Sequence, residues 1–145
     1  MKNFPLSFLA AVSLAGSTCT MVNAQADVPS LLDGAYTEEQ AIRGQVVYYE
    51  QCLVCHGEMM NGLDQAPPLA GPQFTGVWNG ESLWAMVERI DTMPPNMPGS
   101  LSRQDTVDVL TYILWYNGLP LGNAALATDQ KKLAEMEFEI PAFGQ

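Results

Sequence analysis

The chain has 145 residues, with 6 Lys and Arg against 16 Asp and Glu, a formal net charge of -10, 48% hydrophobic residues and only 15% charged ones. That length suits one modest domain, and the apolar fraction together with 10 Pro and 12 Gly describes a loop-rich globular protein, which excludes disorder over most of the chain. With a pI near 4.2 and no cluster of Lys and Arg, nucleic acid and anionic membrane surfaces are excluded as partners, because phosphate contact needs concentrated positive charge.

In chain order, residues 1–26 read as a secretory signal: Lys2 supplies a positive start, Phe4 to Ala15 an apolar stretch, and Ala24-Gln25-Ala26 a small-residue cleavage site. The apolar stretch is short of the roughly 20 residues of a spanning helix and contains Pro5. The mature chain is therefore expected to be exported and not inserted in a membrane. Cleavage removes Lys2 and Cys19, leaving two cysteines and 5 basic against 16 acidic residues, a net charge of -11.

Asp27 to Tyr36 reads as an extended lead-in. Thr37-Glu38-Glu39-Gln40 has the pattern of a capping box, and the Pro-free stretch through Cys52 sets Gly44, Tyr48 and Cys52 four apart, which predicts a first helix of about four turns. From Gly57 to Gly80 the density of Gly and Pro predicts a long ordered loop without regular structure. Glu81 to Asp91 carries Leu83, Val87 and Ile90 at helical spacing and stops at Met93-Pro94-Pro95. Ser102 to Tyr116 has Val107, Leu110, Ile113 and Leu114 along one face and ends at Asn117-Gly118. Leu121 to Gln145 is an extension with a short helix expected around residues 129–138. No repeat and no strand is apparent, and the chain divides into a signal peptide (1–26), one domain (27–120) and a C-terminal extension (121–145).

Cys52-Leu53-Val54-Cys55-His56 carries the chemistry. C-x-x-C-H is the spacing of covalent c-type haem attachment: two thiols three apart reach the two vinyl groups of one porphyrin, and the next residue offers an imidazole to the iron. A zinc site lacks further Cys or His ligands once Cys19 is gone, a thioredoxin-like dithiol lacks its βαβ context, and a plain disulfide accounts for neither the His nor the wrapped loop. His56 is the single histidine, so ligation by two histidines of one chain is impossible. Of the 8 Met, Met1 and Met21 leave with the signal, Met59 and Met60 follow His56 too closely, and Met86 and Met136 fall in a helix and in the tail. Met93 and Met97 remain, each before a Pro in the turn between the two later helices.

Three segments in this order, Cys52 to His56, Pro67-Pro68-Leu69-Ala70-Gly71, and Met93-Pro94-Pro95-Asn96-Met97-Pro98-Gly99-Ser100-Leu101-Ser102, resemble class I cytochrome c in its small exported bacterial form, also seen as the cytochrome domain of quinohaemoprotein dehydrogenases. The likeness spans about Thr37 to Leu119. It implies an all-α fold in which the first and last helices cross around one covalently bound haem c with long ordered loops. It implies haem attachment through Cys52 and Cys55, iron ligation by His56 and Met93, a hydrogen bond from the ligand His to the Pro67 carbonyl, and apolar haem contact from Leu69. Gly44 with Tyr48, and Tyr112 with Trp115, look like the residues at which the two helices meet, and Trp78 and Arg89 resemble propionate contacts.

The function expected on this basis is a periplasmic one-electron carrier rather than an enzyme. Its partners would be redox proteins: a periplasmic dehydrogenase as donor and an oxidase or another cytochrome as acceptor. The alternatives are a fixed haem subunit of such a dehydrogenase or oxidase complex, and a haem enzyme or sensor with a displaceable Met, which would need distal acid–base groups. The haem edge is expected to be rimmed by Leu53-Val54, Met59-Met60 and Pro94-Pro95-Asn96-Met97.

Overall fold

The structure is a computed structural model that describes residues 30–140; the signal sequence expected over 1–26, the start of the lead-in and the last five residues lie outside them. A 3-10 turn, Leu31–Asp33, precedes six helices: α1 Glu38–Gln51, α2 Leu53–His56, α3 Gly71–Trp78, α4 Leu83–Asp91, α5 Arg103–Tyr116 and α6 Gln130–Ala134. Among the described residues the only β pairing is an isolated antiparallel bridge between Ser82 and Glu137.

Each longer helix starts where its side chains require. Thr37, Ser82 and Ser102 sit extended at the N-caps of α1, α4 and α5, and their hydroxyls accept the Gln40, Ala85 and Asp105 N–H groups. The capping box at α1 is only half made: the Gln40 side chain turns away from the cap and pairs with the Leu126 backbone, donating to its carbonyl at 3.1 Å and accepting from its N–H at 2.7 Å. The segment between Gly57 and Gly80 departs from the expected loop, because residues 71–78 form α3. Pro72 lies in the first turn of that helix, where a missing N–H costs nothing and a fixed φ favours the helix.

The core is built on the crossing of α1 and α5. Gly44 makes it possible: a Cβ there would lie 1.8 Å from the Asp108 carbonyl oxygen, so the two backbones are in contact at that point. Tyr48 and Tyr112 pack across the crossing with ring centroids 5.4 Å apart. The Asp108 carboxylate, buried at the same place, is satisfied by Arg43 Nε at 2.8 Å, Arg43 Nη2 at 3.3 Å and Gln104 Nε2 at 2.7 Å. A buried carboxylate without such partners would be strongly destabilising.

The extension after Leu119 clasps this core. Gly122 donates to the Tyr36 carbonyl and the Tyr36 hydroxyl to the Leu119 carbonyl. Leu126, Leu133, Met136 and Phe138 are buried. Backbone bonds from Gly80 to Phe138, Phe138 to Glu81 and Leu83 to Met136 sew the extension onto the start of α4, and Phe138 packs edge-on against Phe74 of α3 at 5.8 Å. Ser30 and Glu139 hydrogen-bond to each other, joining the two ends of the described chain. No helix of the described residues is long and apolar enough to cross a membrane.

Candidate functional site

The break between α1 and α2 positions the attachment motif. Cys52 caps the end of α1 and opens α2, with the Cys55 and His56 N–H groups both donating to its carbonyl at 3.1 and 2.9 Å. Residues at i, i+3 and i+4 share one helical face, so Cys52, Cys55 and His56 all look into one cleft. The Tyr48 hydroxyl donates to the Gly57 carbonyl at 2.7 Å, fixing the turn that ends α2.

That cleft has a cavity volume of about 260 Å³, near the lower end of the ~300–1,000 Å³ usual for ligand pockets, and is open on one side. Cys52, Cys55, His56, Pro67, Leu69 and Met93 all line it. So do Phe74, Val77 and Trp78 of α3, Arg89 and Ile90 of α4, and Val109 and Ile113 of α5. Arg89 is the one charged residue among the lining side chains. Met97 does not line the cleft and is 54% exposed. Met86 and Met136 are core residues, and Met59 sits at the surface beside the Tyr116 hydroxyl.

His56 is buried, and its Nδ1 lies 2.9 Å from the Pro67 carbonyl oxygen. A carbonyl can only accept, so Nδ1 carries the proton and Nε2 is left with a free lone pair, the tautomer a metal ligand needs. The chain around Pro67 is held in turn: Leu69 N–H donates to the Met60 carbonyl at 2.8 Å, and Asn117 Nδ2 donates to the Leu69 carbonyl at 2.9 Å while its Oδ1 accepts the Gly71 N–H. Burial, followed by the proximity of Cys55, pushes the Cys52 thiol up to about 11, so it is protonated near neutral pH. The cleft therefore combines a thiol pair, an oriented imidazole, a thioether and walls that are mostly apolar apart from Arg89, Gln51 and Gln73. This donor set fits a covalently held haem and fits no hard cation, which would need oxygen ligands.

Sequence reasoning missed the α3 wall, because its Gly and Pro content was read as loop, and it took Asn117 only as a helix stop; an Asn at a helix end with free amide atoms was the available signal. Of the segments expected at the rim, Val54 and Met59 are 83% and 67% exposed, but Met60 is fully buried. Its backbone has positive φ and its carbonyl is taken by Leu69, which turns the side chain into the core.

A family model described as cytochrome C oxidase, cbb3-type, subunit III, matches residues 39–113, just over half of the chain. No curated protein matches it. A solved structure, the sulfane dehydrogenase SoxCD from Paracoccus pantotrophus, is similar at 20% identity and a TM-score of 0.49 over 90% of this chain and 69% of that one.

Proposed function

The chain belongs to the cytochrome c family described as cytochrome C oxidase, cbb3-type, subunit III, and from that membership we propose that it is a periplasmic one-electron carrier, not an enzyme, that holds one haem c. A covalently held haem supplies a one-electron couple between Fe(III) and Fe(II). Cys52 and Cys55 would anchor it by thioethers, His56 would offer Nε2 on one side, and Met93 would offer its thioether on the other. The observation that carries this reading is the convergence of these four side chains on one cleft, with the His56 tautomer fixed by the Pro67 carbonyl.

The remaining lining residues serve the same end. Leu69, Phe74, Ile90, Val109 and Ile113 would keep water from the haem, which would favour the less charged reduced centre and raise the potential, as would a Met/His ligand pair. Arg89 and Trp78 offer a guanidinium and an indole N–H, donors suited to propionate carboxylates. If His56 and Met93 both held the iron, the protein would leave it no open position for a substrate. The periplasmic location rests on the signal-like residues 1–26, and a periplasmic dehydrogenase as donor with an oxidase or another cytochrome as acceptor are the partners that suit such a carrier.

The family description, that of an oxidase subunit, favours a second reading in which the protein is a fixed haem subunit of a complex. Copurification from native membranes and periplasm separates the two. The central test is the visible spectrum of the protein matured with haem, oxidised and reduced, before and after acid–acetone extraction. Haem retained in the polypeptide, a low-spin reduced spectrum and a positive midpoint are expected. Extractable haem, or a high-spin spectrum, would overturn the proposal.

A further inference from the structure

The loop that carries Met93 leaves α4 through backbone bonds from Thr92 to Arg89 and from Met93 to Ile90, and Asp91 is the residue that ties it to α5. α4 ends at Asp91 and α5 begins at Arg103; of the residues between them, Met93, Pro94 and Pro95 line the cleft. Asp91 grips this connection at three points. Its backbone carbonyl accepts the Gly99 N–H at 2.7 Å, drawing the far limb of the loop back to the end of α4. Its Oδ1 accepts the hydroxyl of Thr106 at 3.0 Å, and its Oδ2 lies 3.0 Å from Arg103 Nη1. Thr106 is fully buried in α5 and shares its one hydroxyl proton with the Ser102 carbonyl at 3.1 Å. Arg103 lies 4.7 Å above the ring of Trp84, a cation–π contact that leads back to α4.

Helix electrostatics do not account for an acidic residue here. A carboxylate in the last turn of α4 faces the negative end of that helix's dipole, and it is favoured only because the first turn of α5, with its positive dipole end and Arg103, stands opposite. The ion pair alone is a weak argument, since Arg103 is 42% exposed and surface pairs contribute little. What sets Asp91 apart is that backbone and side chain close the same loop together, with a buried partner on one side and the proposed ligand two residues away on the other.

We propose that Asp91 is a positioning residue for Met93: it locks the 92–102 loop to the first turn of α5 and so keeps the thioether seated over the cleft against competing ligands. This rests on the reading of Met93 as the distal ligand. Asn at position 91 could still accept from Thr106 but could not pair with Arg103, so Asp91→Asn should retain part of the lock and Asp91→Ala none of its side-chain share.

The experiment is a titration of the oxidised, haem-loaded protein with imidazole, followed through the weak long-wavelength sulfur-to-iron band, together with the midpoint potential. Asp91→Ala should bind imidazole at least tenfold more tightly than the parent, a shift of about 1.4 kcal/mol, with Asp91→Asn in between. Both should show the band in the absence of imidazole. Gln40→Ala, which loosens the distant Leu126 contact, serves as a variant destabilised elsewhere and should leave imidazole affinity unchanged. Parent-like imidazole affinity in both Asp91 variants, or an equal gain in Gln40→Ala, would overturn the role of Asp91. Met93→Ala reports separately on the ligand reading: retention of the sulfur-to-iron band there would refute Met93 ligation itself, and only then would the role of Asp91 fall with it.

Discussion

Replacing Gly44 by Ala probes the contact on which the whole cleft is built. The added Cβ would lie 1.8 Å from the Asp108 carbonyl oxygen and 2.5 Å from its carbon, whereas ordinary contacts begin at 3.4 Å. Both clashing atoms are backbone, so no side-chain rotation relieves them and α1 and α5 must separate by roughly 1.6 Å at the crossing. A gap of 0.5–1 Å already forfeits about a quarter to a half of the dispersion energy of a contact, and Tyr48, Ala41 and Tyr112 all bury against this crossing. Overpacking of this kind costs about 1–3 kcal/mol and more against rigid atoms, offset by about 1 kcal/mol from the better helix propensity of Ala. Because both clashing atoms are backbone the upper end applies, and a net loss of about 2 kcal/mol follows, which for a domain of this size lowers Tm by about 8 °C. The natural contrast is Gly76 in α3, where a Cβ would meet nothing within 4 Å. Gly76→Ala should raise stability by about 0.4–1 kcal/mol through the unfolded state. Thermal melts of the haem-loaded variants followed by far-ultraviolet circular dichroism provide the measurement. Equal Tm values for the two variants would refute the argument that backbone contact at Gly44 sets the crossing.

Three further outcomes are expected. Met93→Ala should abolish the long-wavelength sulfur-to-iron band and lower the midpoint potential, while Met97→Ala, at a side chain outside the cleft, should leave both unchanged; the reverse pattern would reassign the ligand. In the haem-free chain, the rise of the Cys52 thiol to about 11 means that its thiolate fraction at pH 8 is roughly 100-fold below that of a thiol at the unshifted value of 9.0. Iodoacetamide should therefore label Cys52 slowly near neutrality, with a rate that still climbs between pH 9 and 11, and mass spectrometry showing a rate that levels off near pH 9 would contradict the burial argument. Finally, Val54, Met59 and Met97 are exposed apolar side chains suited to a small, adaptable contact. Met97→Glu should slow electron exchange with a methyl-terminated monolayer electrode several-fold, and unchanged voltammetry would place docking elsewhere.

The elements that the amino-acid order decides are those whose signals lie within a few residues of each other. Cys52, Cys55 and His56 fall on one face because i, i+3 and i+4 always do in a helix, and Thr37, Ser82 and Ser102 cap their helices through hydroxyls that reach only the next turn. The hydrogen bond from His56 to Pro67 and the place of Met93 in the cleft were legible through the resemblance of whole segments, not through spacing. Helix α3 was hidden because Pro72 looks the same in sequence whether it ends a helix or begins one, and only the chain before it, extended at Ala70, makes it a first-turn proline. Gln40 carries the signature of a capping residue, yet its amide is drawn to Leu126, 86 positions away, once the extension lies beside α1. The same holds for Phe138 against Phe74, for Met60 turned into the core and for Asp91 between two helices. A side chain's partner across the fold depends on which surfaces remain uncovered after the local elements form, and that is fixed by close packing and the need to satisfy every buried polar group rather than by the pattern of neighbouring residues.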